Sequence, residues 1–507
     1  MKTILNFIKK NRNIILLIIS FVFLTILVLG MTYAYFDLKT GGETESTMNI
    51  GGAEISATYS FSNSINITDA LPGNDVIAYK DITLTYKNTS SEEYKVYLKT
   101  VIDYSTFTNT ENDGVLYYDI YSGTDHSTLV QDKTIFPTIK YGKSILKEIS
   151  IPANSTGTLN YRINFYFPES DKLQNPDGQL VLNASISVES DNSLKYTPTL
   201  LKKIDLMYQY ESGTNGLEQD DTTDKNIRYV GANPKNYVEF ANTGELWRIV
   251  GVFNVKDSTG KIERKIKLVR NESLGSYSWD ATGNDNYGFN NWTEADLKNE
   301  LNGDYLNTAL TFNTKWYNSY YDSTASKPVQ RKEGIFDYTK TIKQNYQNMI
   351  SESVWNIGGN SFTGSAPYTL NLLSQYNRER GSITYQNSRP TEWTGKVGLI
   401  YASDYGYAST NSECRENLRA GVTYENGSWD YSNGKCKTDN WLFKNSWYWT
   451  LSPCSGGSAI VFGVYGGGAV DNLNAYRSGS VWPAVFLKSD ILIASGTGEK
   501  ESPYRLG

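Results

Sequence analysis

The segment DITLTYKNTSSEEYKVYLKTVI, residues 81–102, decides the fold class of the N-terminal part of the chain. Apolar and polar residues alternate on both sides of NTSSE, which is the pattern of strands with one buried face. The NTSSE residues have the composition of a turn. The segment is therefore predicted to form two neighbouring antiparallel strands.

The same alternation recurs at residues 143–152, 159–167 and 180–190, with turn-forming segments such as ANSTG and NPDG between the runs. Together the runs predict an all-β sandwich of about seven strands over residues 50–190. This stretch contains no nucleophile motif, metal-ligand cluster or glycine-rich phosphate loop. We therefore expect it to be a stalk or an assembly module.

The N-terminal segment predicts a membrane helix or a signal peptide. Residues 14–36 form an uncharged, mostly apolar run of 23 residues, which is long enough to cross ~30 Å of hydrocarbon. Residues 1–13 carry four basic side chains and are predicted to be cytoplasmic by the positive-inside rule. The rest of the chain is then extracellular, either anchored in the membrane or secreted after cleavage behind Ala34.

The apolar segment ending TYA-YFDLKT is followed by a short spacer and by an LPGN turn that opens a strand ending in KNTSSE. This layout, over residues 1–190, resembles the camelysin and TasA-type matrix proteins of Gram-positive bacteria. In that family a signal peptidase cuts after the small residue, and the β-sandwich assembles into extracellular fibres. The resemblance implies cleavage after Ala34. It also supplies an alternative function, a matrix or fibre subunit that self-associates through the β-sandwich.

The second half of the chain has a different pattern. Residues 191–225 break the alternation and become acidic, with a short amphipathic stretch from Leu200 to Tyr208, which predicts a linker that contains one or two helical turns. Residues 226–492 combine strand-like runs with helical periodicities and predict an α+β domain with long loops. We expect residues 493–507 to be a tail, to which we assign no function.

Five segments, LWRIVGVF, GLIYASDYGYA, NWLF, WYWTLSP and SGSVWPAVFLKSDI, follow one another in residues 226–492. Their order resembles the C-type lectin-like modules of gut Firmicutes surface proteins, which share their fold with formylglycine-generating enzymes and with retroelement-diversified variable proteins. The resemblance implies a C-type lectin-like domain. Relatives usually carry V-R-P where this chain has V-W-P at residues 481–483, so no role for an arginine is carried over.

Composition argues against most catalytic and metal-dependent functions. The chain has one histidine, His126, which excludes histidine zinc sites, Ser-His-Asp triads and Cys-His dyads. The formal net charge of −6 argues against nucleic-acid binding. Calcium-dependent lectin motifs of the Glu-Pro-Asn and Trp-Asn-Asp types are absent, and the cysteines lie too far apart in sequence for an oxidase pair.

We therefore expect a bacterial cell-surface or secreted protein that recognises an extracellular protein or glycan without catalysis, cofactor or metal. The predicted ligand site is the hairpin after WTLSP together with the polar loop between Cys414 and Cys436. In the hairpin, alternation places Ile460, Phe462 and Val470 inward. Exposed amides and aromatics suit adaptable recognition. The candidate ligand-binding residues are Tyr448, Tyr465, Asp471, Asn472, Asn474, Tyr476 and Arg477.

The three cysteines predict one disulfide. An exported chain meets oxidising conditions, and Cys414 and Cys436 bracket a single polar loop. Closing such a loop stabilises a fold by about 3 kcal/mol in the chain-entropy estimate. A pairing of Cys436 with Cys454, and three free thiols, stay open as alternatives.

The predicted topology is testable on intact cells. Added protease is expected to digest everything after about residue 45 while the extreme N-terminus stays protected, because only the latter is expected on the cytoplasmic side of the membrane. Protection of residues 226–507 would contradict the topology. Mass spectrometry of the mature N-terminus separates a retained anchor, which starts at Met1, from a cleaved signal, which leaves Tyr35 first.

Overall fold

The chain divides into two compact units, Met1–Tyr196 and Thr197–Gly507. The predicted cytoplasmic segment 1–13 and apolar segment 14–36 lie outside the described residues. Within the described residues, no helix combines the length and apolarity needed to span a membrane. The computed structural model describes residues 44–50, 52–60, 62–68, 70–107, 115–137, 141–170, 180–281, 288–306, 316–322, 327–333, 336–360, 369–381 and 389–507.

The first unit is a β-sandwich. One sheet has the strand order β1-β2-β4-β9-β6-β7 and the other has the order β3-β10-β5-β8. The strands are β1 (Thr44–Ile50), β2 (Ala53–Tyr59), β3 (Ser64–Ile67), β4 (Val76–Asn88), β5 (Tyr94–Ser105), β6 (Tyr117–Ser122), β7 (Thr128–Ile135), β8 (Gly142–Ile151), β9 (Ser155–Tyr166) and β10 (Leu182–Glu189).

Alternation of apolar side chains builds the core of this sandwich. In β10 every second residue from Leu182 to Val188 is buried, and in β4 Ile82 and Leu84 face the same interior. The predicted β-sandwich is confirmed. It has ten strands among the described residues where about seven were expected, because short strands such as β3 and β6 lack a long alternating run.

The second unit contains sheets and six short or medium α-helices within its described residues. The helices are α1 (Leu200–Asn215), α2 (Asp296–Asn302), α3 (Gln344–Gln347), α4 (Leu372–Glu379), α5 (Ala402–Tyr407) and α6 (Ser412–Glu416). The strands are β11 (Leu217–Gln219), β12 (Ile227–Tyr229), β13 (Tyr237–Glu239), β14 (Leu246–Lys256), β15 (Ile262–Arg270), β16 (Ser276–Ser278), β17 (Tyr317–Asp322), β18 (Lys327–Glu333), β19 (Ser353–Asn356), β20 (Glu392–Gly395), β21 (Val397–Leu399), β22 (Thr423–Glu425), β23 (Ser428–Asp430), β24 (Tyr448–Pro453), β25 (Ile460–Val464), β26 (Val470–Asn474), β27 (Ser478–Ser480), β28 (Pro483–Phe486), β29 (Ile493–Ser495) and β30 (Tyr504–Leu506).

Two sheets organise this second unit. The larger has nine strands, with β21-β28-β15-β14-β13-β30-β29 in order and β11 and β12 joined at β14. The smaller has the order β16-β27-β24-β25-β26. Helices and strands together agree with the expected α+β composition. The finer expectation of a C-type lectin-like fold stays a prediction.

The expected tail and the expected linker from Thr197 onward belong to the second unit. The linker prediction for residues 191–225 is wrong from Leu200 onward, because Leu200, Ile204 and Met207 of α1 pack into the core. Residues 493–507 were expected to be a tail, but β30 pairs in parallel with β13. Tyr504 is buried and its hydroxyl donates to the Met207 sulfur. The two ends of the unit are therefore packed against each other.

A buried ionic network joins the large sheet to α5. Asp404 accepts from the Arg228 guanidinium at 2.9 Å and from the Lys267 ammonium at 2.6 Å, and Arg228 also donates to Asp220 at 2.6 Å. All four side chains are buried. Burial raises the pKa of Asp404, but Lys267 and Arg228 outweigh burial and hold that pKa below its ordinary value. Burial lowers the pKa of Lys267 to about 8.

Asp404→Asn is expected to lower the free energy of unfolding of the second unit by about 3–5 kcal/mol, because two buried cations lose their counter-charge. Asp205→Asn is the control, since Asp205 pairs with Arg264 near the surface, where such a pair contributes at most about 1 kcal/mol. All 11 tryptophans lie between residues 247 and 482, so tryptophan fluorescence during denaturant unfolding reports this unit alone. Equal effects of the two substitutions would contradict the network's importance.

Candidate functional site

The structure exposes only part of the predicted ligand-binding set. Arg477 is exposed, and Tyr465, Asn472 and Asn474 are partly buried along the hairpin of β25 and β26. The predicted surface positions Tyr448, Asp471 and Tyr476 are wrong, because all three side chains are buried.

Tyr448 is a core residue of β24. Its ring is 1% exposed, lies 6.3 Å from the Tyr405 ring and 6.1 Å from the Trp482 ring, and its hydroxyl donates to the Leu442 carbonyl at 2.8 Å. Period-two alternation alone covers one face of a strand. Both faces of β24 are covered, since the strand lies in the middle of its sheet and all six of its residues are buried.

Tyr476 is buried because the turn after β26 packs against another segment. The Tyr476 carbonyl accepts from the Ser278 hydroxyl at 2.6 Å, and the Ala475 carbonyl accepts from the backbone amides of Trp279 and Asp280. These contacts hold the turn against residues 278–280 and leave the Tyr476 side chain 1% exposed.

Asp471 is covered by the loop that the disulfide closes. Its carboxylate accepts from the Tyr431 hydroxyl at 2.6 Å and pairs with Arg419 at 3.0 Å. Burial raises the pKa of Asp471, while the hydrogen bond from Tyr431 and the charge of Arg419 oppose that shift. Asp471 therefore anchors a loop and does not offer a free carboxylate to a ligand.

The predicted disulfide is confirmed, since Cys414 and Cys436 are bonded and Cys454 is a buried free cysteine. Tyr431, inside the closed loop, stacks on Tyr465 with ring centroids 4.1 Å apart. Gly467 permits this packing, because a Cβ atom there would overlap the backbone carbonyl of Tyr431. The disulfide loop and the predicted hairpin thus form one connected surface.

A small exposed ribbon projects from this loop. Strands β22 and β23 pair around Asn426-Gly427, whose φ angles of 51° and 79° are those of a tight hairpin turn. We call residues 423–430 the aromatic ribbon. Tyr424 and Trp429 are cross-strand partners, with ring centroids 4.7 Å apart and exposed fractions of 53% and 36%.

Arg419 holds the aromatic ribbon against the rest of the second unit. The Arg419 guanidinium lies 4.6 Å from the centre of the Trp429 ring and also pairs with Asp471. Stacking and ion pairing therefore connect the ribbon to Asp471 of the hairpin strand β26. An exposed aromatic pair on a supported ribbon is ordered before a ligand arrives, which lowers the entropic cost of binding.

The sequence predicted that the disulfide loop is part of the binding surface, but it did not single out the aromatic ribbon, although a local signal was present. Asn-Gly between two short runs that contain Tyr424 and Trp429 is a strong hairpin pattern. The overall composition of the loop is polar. Composition averaged over the loop therefore does not indicate the two aromatic side chains on its neighbouring strands.

Comparisons with known proteins identify no family for this chain. No family model and no curated protein matches it. Among solved structures, TmCBM61 in complex with beta-1,4-galactotriose is 7% identical with a TM-score of 0.15, over 30% of this chain and 90% of that one. The enzymatically active domain of tailspike protein 4 of bacteriophage CBA120 is 11% identical with a TM-score of 0.14, over 31% of this chain and 20% of that one. Overlaps at these TM-scores do not define a shared fold, and the two family resemblances stay predictions.

Burial of Tyr476 predicts a stability effect that separates it from its neighbour. Tyr476→Ala is expected to lower the free energy of unfolding by about 3 kcal/mol or more, because it empties a buried ring site. Arg477→Ala removes an exposed side chain and should change stability by less than about 0.5 kcal/mol. Denaturant unfolding followed by tryptophan fluorescence measures both. If the Tyr476→Ala protein is as stable as the parent, the Tyr476 side chain is not part of the core.

Proposed function

We propose that this protein is a non-catalytic extracellular recognition protein and that the aromatic ribbon is its carbohydrate-binding surface. The observation that carries the proposal is the exposed pair of Tyr424 and Trp429 on a ribbon held by Arg419. Apolar ring faces and C–H edges of sugars pack favourably on aromatic side chains. The disulfide between Cys414 and Cys436 supports an oxidising, extracytoplasmic location.

Composition and size of the ribbon favour carbohydrate over protein. A stable protein interface commonly buries about 800 Å² on each partner, which a ribbon of this length does not provide alone. Around the two aromatic rings the ribbon carries exposed hydroxyl, amide and carboxylate groups that can bind sugar hydroxyls. These groups belong to Thr423, Glu425, Asn426, Ser428 and Asp430.

The alternative function, a matrix or fibre subunit, has one observation in its favour. Strand β7 lies at an edge of the six-stranded sheet and exposes Leu129 and Ile135. Edge strands of this kind can pair with another chain, but charges on the strand oppose that pairing. Asp132 and Lys133 lie in the middle of β7 and are both exposed. Recognition is therefore the function that the structure favours.

The ribbon can be tested with the intact chain on an array of immobilised bacterial and animal glycans. Binding is expected, and Tyr424→Ala and Trp429→Ala should each weaken it at least tenfold, because a buried aromatic anchor commonly contributes ~2 kcal/mol or more. Tyr141→Ala is the matched control, since Tyr141 is 54% exposed in the other unit, compared with 53% for Tyr424.

The control should bind like the parent, and all variants should unfold at the parent's denaturant concentration. Absence of binding to every glycan would contradict the proposal. Binding that survives both ribbon substitutions would place the carbohydrate site elsewhere on the chain.

A further inference from the structure

A second concave site lies in the second unit and shares no residue with the aromatic ribbon. It is a cleft of about 260 Å³ beside β14, β19 and α4. The aromatic side chains of Phe253, Tyr376, Tyr401 and Phe486 line it together with charged and amide groups. Apolar walls with a few convergent polar groups are typical of small-molecule sites.

Arg380 offers N–H donors to a ligand in this cleft, although two carboxylates already form long ion pairs with its guanidinium. Its guanidinium lies 3.5 Å from the centre of the Tyr376 ring, which holds it in place by stacking. Among the described residues it makes one hydrogen bond, from Nη1 to the Tyr376 carbonyl at 3.3 Å. The carboxylates of Asp224 and Glu379 lie 3.9 and 3.7 Å from it, beyond hydrogen-bond distance. Its other N–H donors can therefore bind a carboxylate.

A second cation lies deeper in the same cleft. Lys267 lines the cleft, and its ammonium donates to Asp404 at 2.6 Å while lying 4.0 Å from the centre of the Tyr401 ring. At the rim, Lys256 and Glu392 neutralise each other at 2.7 Å. Arg380 is thus the positive group with the most unused donors, and it marks where the anionic group of a ligand belongs.

Amide and carboxylate groups surround this position. Asn254 is exposed and donates weakly to the Asp224 carbonyl at 3.4 Å, and the Asn356 side chain contacts no hydrogen-bond partner among the described residues. The Asp224 carboxylate is 41% exposed and accepts from the Tyr376 hydroxyl. These groups provide both acceptors and donors for several hydroxyls of one ligand.

Size limits the ligand to a single ring. The cleft is slightly smaller than the range of about 300–1,000 Å³ for drug-sized ligands. A peptide carboxyl terminus would satisfy Arg380 but would leave the exposed Asp224 carboxylate with few donors. A hydroxylated ring that bears a carboxylate matches the aromatic walls, the amides and the guanidinium together.

We infer that this cleft is a second carbohydrate site, specific for a hexuronic acid, whose carboxylate binds Arg380 and whose hydroxyls bind Asp224, Asn254 and Asn356. The site is independent of the aromatic ribbon. Its ligand carries a negative charge, whereas nothing in the ribbon requires one.

Calorimetric titration of the intact chain with sodium D-glucuronate tests this site. Saturable binding is expected, with D-glucose at least tenfold weaker because it lacks the carboxylate. Arg380→Gln should weaken glucuronate binding at least tenfold. Arg505→Gln is the control, because Arg505 is a largely exposed arginine of the same unit outside the cleft, and it should bind like the parent.

Asn254→Asp covers the case in which Arg380→Gln does not fold. Asn254 is exposed, so the added charge should leave the fold intact and weaken glucuronate binding at least fivefold by repulsion. Trp429→Ala should leave glucuronate binding unchanged, which separates this site from the ribbon. No saturable binding, equal binding of glucose, or tighter binding of N-acetyl-L-alanine, a mimic of a peptide carboxyl terminus, would each overturn the inference.

Discussion

The second unit depends on the buried carboxylate of Asp404. It lies between Lys267 of β15 and Arg228 of β12, and its Oδ2 atom also accepts from the Tyr401 amide. A buried charge is tolerated only when it is paired and hydrogen-bonded. The network therefore fixes α5 on the large sheet at one position. Because Lys267 also lines the cleft, the same network positions one wall of the proposed uronate site.

Aromatic residues serve mainly as core in this protein. Indole N–H groups donate to backbone carbonyls of strand residues, as Trp279 does to Thr450, Trp355 to Gly395 and Trp441 to Tyr229. Each such indole fills volume and its buried N–H group is hydrogen-bonded. The Trp- and Tyr-rich loops are thus explained largely by packing. Among the described residues of the second unit, the exposed rings of Tyr424 and Trp429 are the exception.

The ribbon and the cleft use different physical means of recognition. The ribbon presents aromatic rings to solvent on a short hairpin, and its rigidity comes from the Arg419 pair and the closed loop. The cleft is a concave surface with aromatic walls, and in the proposed uronate site it supplies a guanidinium held by stacking on Tyr376. Open aromatic surfaces tolerate many sugars, whereas an enclosed charge selects for one ionised group.

The β-sandwich was predictable from the sequence, and the Cys414–Cys436 disulfide was the pairing that the sequence favoured among the alternatives. Period-two alternation is a local property of a strand, and Cys414 and Cys436 bracket one loop, so neither needed knowledge of distant contacts. Only the tertiary structure decided which polar and aromatic side chains are covered. Asp471 and Tyr476 were expected at the surface, but the loop after Cys414 and residues 278–280 pack over them. Likewise α1 was expected in a linker because its flanks are polar, yet Leu200 and Ile204 dock into the core. The exposure of a residue depends on segments far away in the chain, and local periodicity carries no information about them.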